Sequence, residues 1–356
     1  MIATYSIAGQ AQYEVGTSPN PDPARAAAVG NRAAATMLAT SSKRRGARFI
    51  PPVLGRPAAV LERAGGRFGP GPDGLDSRRV PELPEVQALA ERLHVAYAGA
   101  VFLRAEALQF SALKTVDPPP EALAGRTLAA VARRGKYLLL DLAGPRIAIH
   151  LSQGGRVALE RGRASARPRG GVVRLRFDER PSLLVREFGT ERKAGWWVLR
   201  QGDEGPLARL GPEPFSEAFA ELIAGGADAG RLHAFLRDQR RVAGIGRGYA
   251  DDALHRARLS PFRSLASLDV GERARLTGAV REVLAEATEV ERRRTGGLPA
   301  RLGDHFAVHN RAGEPCPACG EPLRRVSYES YELTYCPACQ TGGRILADRR
   351  LSRLVR

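Results

Sequence analysis

Apolar residues follow regular periods from residue 81 onwards, and the first of these periods is helical. The segment PELPEVQALAERL opens with a proline and a glutamate, which are both favoured in the first turn of a helix. Apolar residues then recur at the spacing i, i+3, i+4, i+7 of a single helix face: Val86, Leu89, Ala90 and Leu93. The pattern predicts an amphipathic helix that begins near Pro81.

Short segments with the composition of β-strands follow from about residue 126. They are separated by glycine, proline or charged turns and comprise TLAAVARR, KYLLLDL, RIAIHL, RVALER, VVRLRF, SLLVREF and GWWVLR. Several short strands at this spacing predict a β-sandwich or a barrel.

The period becomes helical again after Gly211. Three candidate helices are SEAFAELIA, RLHAFLRDQRRVAG and YADDALHRARL. A fourth is predicted after Asp269, a suitable N-cap with Glu272 at the capping-box position. Its apolar stripe consists of Leu276, Val280, Val283, Leu284 and Ala287. A helical domain is therefore predicted to follow the β domain.

A glycine-rich turn, Gly244-Ile245-Gly246-Arg247-Gly248, separates the second and third candidate helices. It leaves backbone N–H groups at the start of the next helix, where they can bind a phosphate with help from the helix dipole. The other interpretation is tight helix packing, and the residues alone leave both open. No βαβ pattern surrounds the turn, so a dinucleotide-binding fold is not indicated.

The four cysteines form two C-x2-C pairs, Cys316 with Cys319 and Cys336 with Cys339, with sixteen residues between the pairs. This spacing brings four thiolates to one tetrahedral Zn²⁺, and so small a module depends on the metal for its folding. Because cysteine fills every coordination position, we expect a structural zinc. The alternatives are two redox-active CxxC pairs or coincidence.

The charge of the chain favours a polyanionic partner. Its 55 Lys and Arg against 38 Asp and Glu give a net charge of +17 and a pI near 10.7. Four cysteines in 356 residues are too few for a disulfide scaffold. The chain has no apolar run long enough for a spanning helix and no secretory signal pattern. We therefore expect a soluble, cytoplasmic protein.

Residues 1–80 are rich in Ala, Gly, Pro and Arg and keep no period of 2 or 3.6. Three interpretations are open. The segment is a disordered basic tail, a transit peptide, or the product of a mis-assigned translation start. Its composition fits the transit-peptide pattern only in part.

The ordered set of motifs resembles the formamidopyrimidine-DNA glycosylase / endonuclease VIII family. The motifs are PELPEV at 81–86, RRGKYLLLDL at 133–142, IHL at 149–151, LGPEPF at 210–215, GIGRGYADDAL at 244–254 and the two cysteine pairs. The match covers nearly all of residues 81–356 and none of 1–80. The resemblance implies an α+β fold: an N-terminal β-sandwich with a leading helix, a helix–two-turn–helix domain and a C-terminal zinc finger.

Together, the patterns and the resemblance divide the chain into five segments. These are an unpatterned extension (1–80), a catalytic β-sandwich domain (81–210), a helix–two-turn–helix DNA-binding domain (211–300), a zinc finger (305–345) and a basic tail (346–356). DNA is expected in the cleft between the domains.

Members of this family flip a damaged base out of duplex DNA, cut its glycosidic bond and nick the strand. The resemblance gives Pro81 the role of the N-terminal amine that attacks C1′, and Glu82 that of the carboxylate that handles protons at the opened sugar. Lys136 matches the lysine that contacts phosphate and assists elimination. Glu85 either supports the site or only caps the helix.

An internal proline has an amide nitrogen and cannot act as this nucleophile. The residue before Pro81 is Val80, and a GUG codon is read as Val internally but as Met at initiation. We therefore hypothesise that translation starts at position 80 and that removal of the Met frees the amine of Pro81. Proteolytic maturation is the other route to the same terminus.

The chain departs from the family at residues that fill the space left by the flipped base. Gln153 stands at the position of a methionine, Arg192 keeps an arginine, and Ala194 replaces an aromatic wedge, which is expected to alter damage search or opposite-base choice. At the glycine turn, Arg247 replaces a phosphate-binding Asn but can still bind phosphate beside the backbone of Gly246.

A further departure lies in the zinc finger. Tyr331 stands where the family has an arginine tied to phosphate binding and δ-elimination. We therefore expect mainly β-elimination products.

Two functions from different classes remain. The first is a repair glycosylase and abasic-site (AP) lyase that removes oxidised bases, with oxidised purines favoured. The second is a catalytically impaired DNA-binding protein of the same fold. For both we expect damaged double-stranded DNA as the partner, one structural Zn²⁺, no membrane association, a monomer, and a cytoplasmic, nucleoid-associated location.

Overall fold

A computed structural model describes residues 81–160, 165–188, 192–294, 305–327 and 332–346. The extension 1–80, Tyr331, and all of the basic tail except Leu346 lie outside the described residues. Within these ranges the fold is α+β, with a β-sandwich, a helical domain and a small cysteine module in the predicted order. None of the helices described there combines the length and apolarity needed to cross a bilayer.

The first helix, α1 (Leu83–Tyr97), forms where the apolar stripe predicts it. Glu82 is its N-cap residue, and the backbone N–H of Glu82 donates to the Glu85 carboxylate at 3.0 Å. All four residues of the predicted stripe are buried in the sandwich core, whereas Leu83 is buried in the core of the helical domain. The helix therefore belongs to both cores.

Two four-stranded antiparallel sheets enclose the sandwich core, with the strand orders β1–β6–β7–β5 and β2–β3–β4–β8. The strands are β1 (Phe102–Ala107), β2 (Ala130–Arg134), β3 (Tyr137–Asp141), β4 (Arg146–His150), β5 (Gly155–Glu160), β6 (Gly171–Phe177), β7 (Ser182–Glu187) and β8 (Gly195–Leu199). All seven predicted strands are confirmed. Strand β1 was missed because its sequence, FLRAEA, has only one fully buried position.

The helical domain contains α2 (Glu217–Gly225), α3 (Leu232–Arg237), α4 (Arg247–Arg256) and α5 (Val270–Arg293). The capping box of α5 and its buried apolar stripe are confirmed. Helix α3 is shorter than predicted. After it, the Gln239 side chain accepts from the N–H of Gly244 at 2.9 Å and donates to the carbonyl of Ile245 at 2.6 Å, which stabilises a turn in place of further helix.

The cysteine module consists of β9 (Arg324–Ser327), β10 (Glu332–Tyr335) and the short helix α6 (Pro337–Thr341). Two acidic residues of α4 attach it to the helical domain. The Asp252 carboxylate accepts from three successive backbone N–H groups of residues 307–309, at 2.7–3.1 Å. The Asp251 carboxylate accepts from the N–H of Thr334 in β10 at 3.0 Å.

Candidate active site

Glu82 reaches from the start of α1 to the glycine turn before α4. Its carboxylate accepts from the backbone N–H groups of Gly246 and Gly248, the latter at 3.2 Å. The N–H of Leu83 donates to the carbonyl of Gly244 at 3.0 Å, and both Pro81 and Glu82 are buried. Two of the N–H groups that the sequence offers to a phosphate are therefore engaged by a carboxylate of the protein.

Lys136 lies on the turn between β2 and β3 and meets Glu82 over Gly246. A methyl group added at Gly246 would lie 2.6 Å from Lys136 Nζ and closer still to the Glu82 carboxylate. The turn contains Gly135 at φ +57°, a backbone conformation that favours glycine, and a methyl group added there would lie 3.1 Å from the Leu210 side chain. Residues far apart in sequence thus bring a lysine side chain close to the carboxylate of the residue that follows Pro81.

The surroundings of Lys136 disfavour its charged form, chiefly because the side chain is buried. Burial lowers the pKa of Lys136, and the nearby guanidinium groups of Arg237 and Arg247 lower it further. The carboxylates of Glu82 and Glu85 act in the opposite direction. Arg247 therefore lies near the site, as a phosphate ligand must. Arg237, at the end of α3, was missed because it belongs to no motif.

Glu85 takes part in a buried hydrogen-bond network behind Glu82. The Tyr249 hydroxyl donates to Glu85 Oε1 at 2.6 Å and lies 3.0 Å from His305 Nε2. Burial raises the pKa of Glu85 to about 7, with smaller contributions from the charges of Glu82 and Glu291, while the Tyr249 hydrogen bond lowers it. Glu85 therefore caps α1 and also hydrogen-bonds to Tyr249, and its role in the reaction stays a prediction.

Gln153 and Arg192 lie on two chain segments near the end of β7. Gln153 is half-buried in the turn between β4 and β5. That turn is held by the N–H of Phe188, which donates to the carbonyl of Gly154 at 3.1 Å. Arg192 is exposed on the segment that follows Phe188. The DNA contacts that the sequence assigns to these two residues stay a prediction.

The position assigned to the wedge needs correction. Ala194 is buried in the sandwich core, and its N–H donates to the Glu187 carboxylate at 2.9 Å. A residue that packs inward cannot be the counterpart of a side chain that enters a base stack. The exposed residue beside it is Lys193.

The four cysteines converge at the far end of α4 from the glycine turn. Their sulfur atoms lie within 4.8 Å of one another, with 3.9 Å between Cys316 and Cys339 and 3.5 Å between Cys319 and Cys336. Zn–S bonds of about 2.3 Å in a tetrahedron require sulfur atoms about 3.8 Å apart. The thiols therefore fit one tetrahedral metal ion. His255 Nε2, on α4, lies 3.1 Å from Cys316 Sγ.

One more residue near the site escaped the sequence analysis. Glu213, in the LGPEPF motif, accepts a hydrogen bond from the N–H of Gly135 at 2.7 Å, directly before Lys136. The motif was used only for the resemblance, although a charged residue between two prolines is itself a signal of a fixed polar contact.

Comparison with known proteins gives matches over both main domains. Family models match residues 80–197 (formamidopyrimidine-DNA glycosylase N-terminal domain) and residues 210–296 (formamidopyrimidine-DNA glycosylase H2TH domain). A formamidopyrimidine-DNA glycosylase of Thermus thermophilus is 39% identical over 283 residues, which cover 74% of this chain and 100% of the relative. That of Symbiobacterium thermophilum is 38% identical, with 73% and 89% covered.

A solved structure agrees with this assignment. The crystal structure of the MutM (Fpg) protein from Thermus thermophilus superposes with a TM-score of 0.63 at 37% identity, and the match covers 73% of this chain and 98% of that one. Sequence, domain order and fold agree, and the chain belongs to the formamidopyrimidine-DNA glycosylase family.

Proposed function

We propose that this DNA repair glycosylase removes oxidised bases from duplex DNA, with oxidised purines favoured, and nicks the strand through an associated AP lyase activity. One observation carries the proposal. Immediately after Pro81, a carboxylate and a lysine meet over the N-terminus of a helix, which is a place that attracts anions.

The nucleophile in this proposal is the secondary amine of Pro81 in a chain that begins there. Amines at a chain terminus titrate near 8, against about 10.4 for lysine, so more of the amine is uncharged at neutral pH. The family model begins at position 80, and the Thermus relative is matched over its whole length by 74% of this chain. Both observations support a mature terminus at Pro81.

The reaction then has two stages. The Pro81 nitrogen forms a bond to C1′ and loses its proton as the bond to the damaged base breaks. The C1′–O4′ bond of the sugar ring then breaks, O4′ takes up a proton, and a cationic iminium is left between the nitrogen and C1′. The iminium acidifies the C2′ proton, and loss of that proton expels the 3′ phosphate. Glu82 exchanges protons with the opened sugar, and Lys136 contacts the phosphate and assists its departure.

DNA contacts come from several parts of the chain in this proposal. Gln153 and Arg192 occupy the space left by the flipped base, and Arg247 binds phosphate beside the glycine turn, where Glu82 already engages the N–H of Gly246. The four cysteines hold one Zn²⁺, which supplies folding energy for the finger and takes no part in the chemistry. The protein acts as a monomer, in the cytoplasm near the nucleoid.

Borohydride trapping on an abasic-site duplex tests the proposal. A chain that begins at Pro81 is expected to become covalently linked to DNA, and the 356-residue chain is not. The matched control is the shorter chain with its terminus acetylated, which keeps the fold but turns the amine into an amide. Tight duplex binding without an adduct from either chain would establish the catalytically impaired alternative. A native N-terminal peptide from upstream of position 80 would refute the proposed start.

A further inference from the structure

The LGPEPF segment connects the sandwich to the helical domain, and Glu213 lies at its centre between two prolines. The Glu213 carboxylate receives both terminal nitrogens of Arg133, at 2.8 and 3.1 Å, and Nη1 of Arg134 at 2.8 Å. It also receives the backbone N–H of Gly135 at 2.7 Å. One carboxylate thus holds the three residues that precede Lys136.

These contacts are largely shielded from water. The Arg133 side chain is 9% exposed and that of Glu213 is 23% exposed. Although burial alone would raise it, the pKa of Glu213 lies below its ordinary range because Arg133 and its other donors stabilise the charge. Charge-assisted, bidentate contacts of this kind fix geometry more strongly than neutral hydrogen bonds do.

The same segment is also tied to the glycine turn. The N–H of Gly211 donates to the carbonyl of Gln239 at 2.8 Å, and the N–H of Ala243 donates to the carbonyl of Pro212 at 3.0 Å. Because Pro212 and Pro214 fix the backbone on either side, Glu213 cannot move independently of these contacts. The segment therefore hydrogen-bonds both to the turn that carries Lys136 and to the turn that ends at Gly246, and it holds the two turns in a fixed relative position.

We propose that Glu213 is the positioning residue of Lys136, and that it also keeps Arg133 and Arg134 from acting as phosphate ligands. This inference rests on the proposed function, since it assigns Lys136 to strand nicking. The RRGK sequence by itself would suggest that these arginines bind phosphate, because consecutive basic residues beside a reactive lysine are typical of phosphate contacts. In the structure, the guanidinium groups of Arg133 and Arg134 instead donate to the Glu213 carboxylate.

The test compares Glu213→Gln and Glu213→Ala with the unchanged protein, in the form that gives the borohydride adduct. Glu213→Gln keeps an acceptor oxygen for Gly135 and is the milder change. The matched control is Glu286→Gln, which removes an equal charge from a bidentate contact with Arg256 at the other end of α4. Single-turnover nicking of an abasic duplex and the salt dependence of binding to undamaged duplex are measured for each.

We expect nicking to slow about 10-fold in Glu213→Gln and about 100-fold in Glu213→Ala, the size of effect that a misplacement of about 1 Å produces. Duplex affinity is expected to hold or rise, and the slope of log K against log salt to steepen by up to about 2, as two arginines become free for phosphates. Glu286→Gln should change neither quantity.

Two results would overturn the inference. One is nicking at the rate of the unchanged protein in Glu213→Ala. The other is a parallel fall in nicking, duplex affinity and thermal stability, which indicates a merely structural role. Absence of an adduct from the unchanged protein would instead refute the proposed lyase. The salt slope would still test the arginine contacts, because it needs no catalysis.

Discussion

Gly246→Ala is the smallest change that acts on the site directly. Gly246 is the N-cap of α4, and its backbone φ of −121° is accessible to alanine. The added methyl group would overlap the Glu82 carboxylate and lie 2.6 Å from Lys136 Nζ. Both obstacles are the ends of side chains rather than backbone, so the protein can fold with the two groups displaced.

The size of the effect follows from this geometry. The Glu82 carboxylate must move by about 1 Å to restore an ordinary contact, and a displacement of that size at a reacting centre costs about 100-fold in rate. The same figure corresponds to a barrier higher by about 2.7 kcal/mol. It is comparable to the loss of one charge-assisted hydrogen bond, at about 1.5–3 kcal/mol, from the two that Glu82 accepts.

The assay is single-turnover nicking of an abasic duplex with enzyme in excess, combined with duplex affinity from fluorescence anisotropy. The matched control is Gly225→Ala at the end of α2, where an added methyl group meets no atom within 4 Å. The control should keep the rate of the unchanged protein. Gly246→Ala should keep its duplex affinity to within a small factor and lose rate.

The reasoning would be refuted by a Gly246→Ala protein that nicks within about threefold of the unchanged rate. That outcome would mean that the positions of Glu82 and Lys136 over the turn do not limit the reaction. Equal losses in Gly246→Ala and Gly225→Ala would also count against it, because they would point to a general effect of replacing helix-terminal glycines.

Three further predictions concern the buried carboxyl, the finger and the products. Because the pKa of Glu85 is raised from 4.5 to about 7, its stabilising contribution is complete below pH 4.5 and is lost as pH rises through 7. Urea titrations should show about 3 kcal/mol of this loss in the unchanged protein and a flatter profile in Glu85→Gln. His255→Phe removes the contact with Cys316 Sγ and should speed zinc release to a chelator by about 10–100-fold, followed with a metal-sensitive dye. Tyr331→Arg should raise the fraction of 3′-phosphate ends on an abasic duplex, and stoichiometric 3′-phosphate from the unchanged protein would contradict the expected weakening of δ-elimination.

Local pattern was sufficient to predict most of the fold. The stripe of α1, the capping box of α5 and seven strands depend on residues close in sequence, so their periods show in the chain. Strand β1 escaped because its polar residues pair with β6; Glu106, for example, holds Arg174 at 2.6 Å. The end of α3 escaped because a glutamine side chain replaced the helical hydrogen bonds.

The site was harder to predict than the fold. The sequence assigned the Gly246 turn to a phosphate and Glu82 to the sugar of the damaged nucleotide. In the structure, the N–H of Gly246 donates to the Glu82 carboxylate. No local pattern encodes a hydrogen bond between residues 164 positions apart. Ala194 was assigned to the wedge by counting along a segment, and only its burial distinguishes it from the exposed Lys193.

The 164 residues that separate Glu82 from its partner at Gly246 also order events during synthesis. A ribosome adds about 5–20 residues per second, so the start of α1 waits roughly 8–30 s before the glycine turn exists. During that time Leu83 has no helical-domain core to enter and Glu82 has no helix terminus to bind. In the proposed enzyme, Pro81 and Glu82 are among the first residues to be made, and Glu82 meets its partner only after the glycine turn, 164 residues later, has been made.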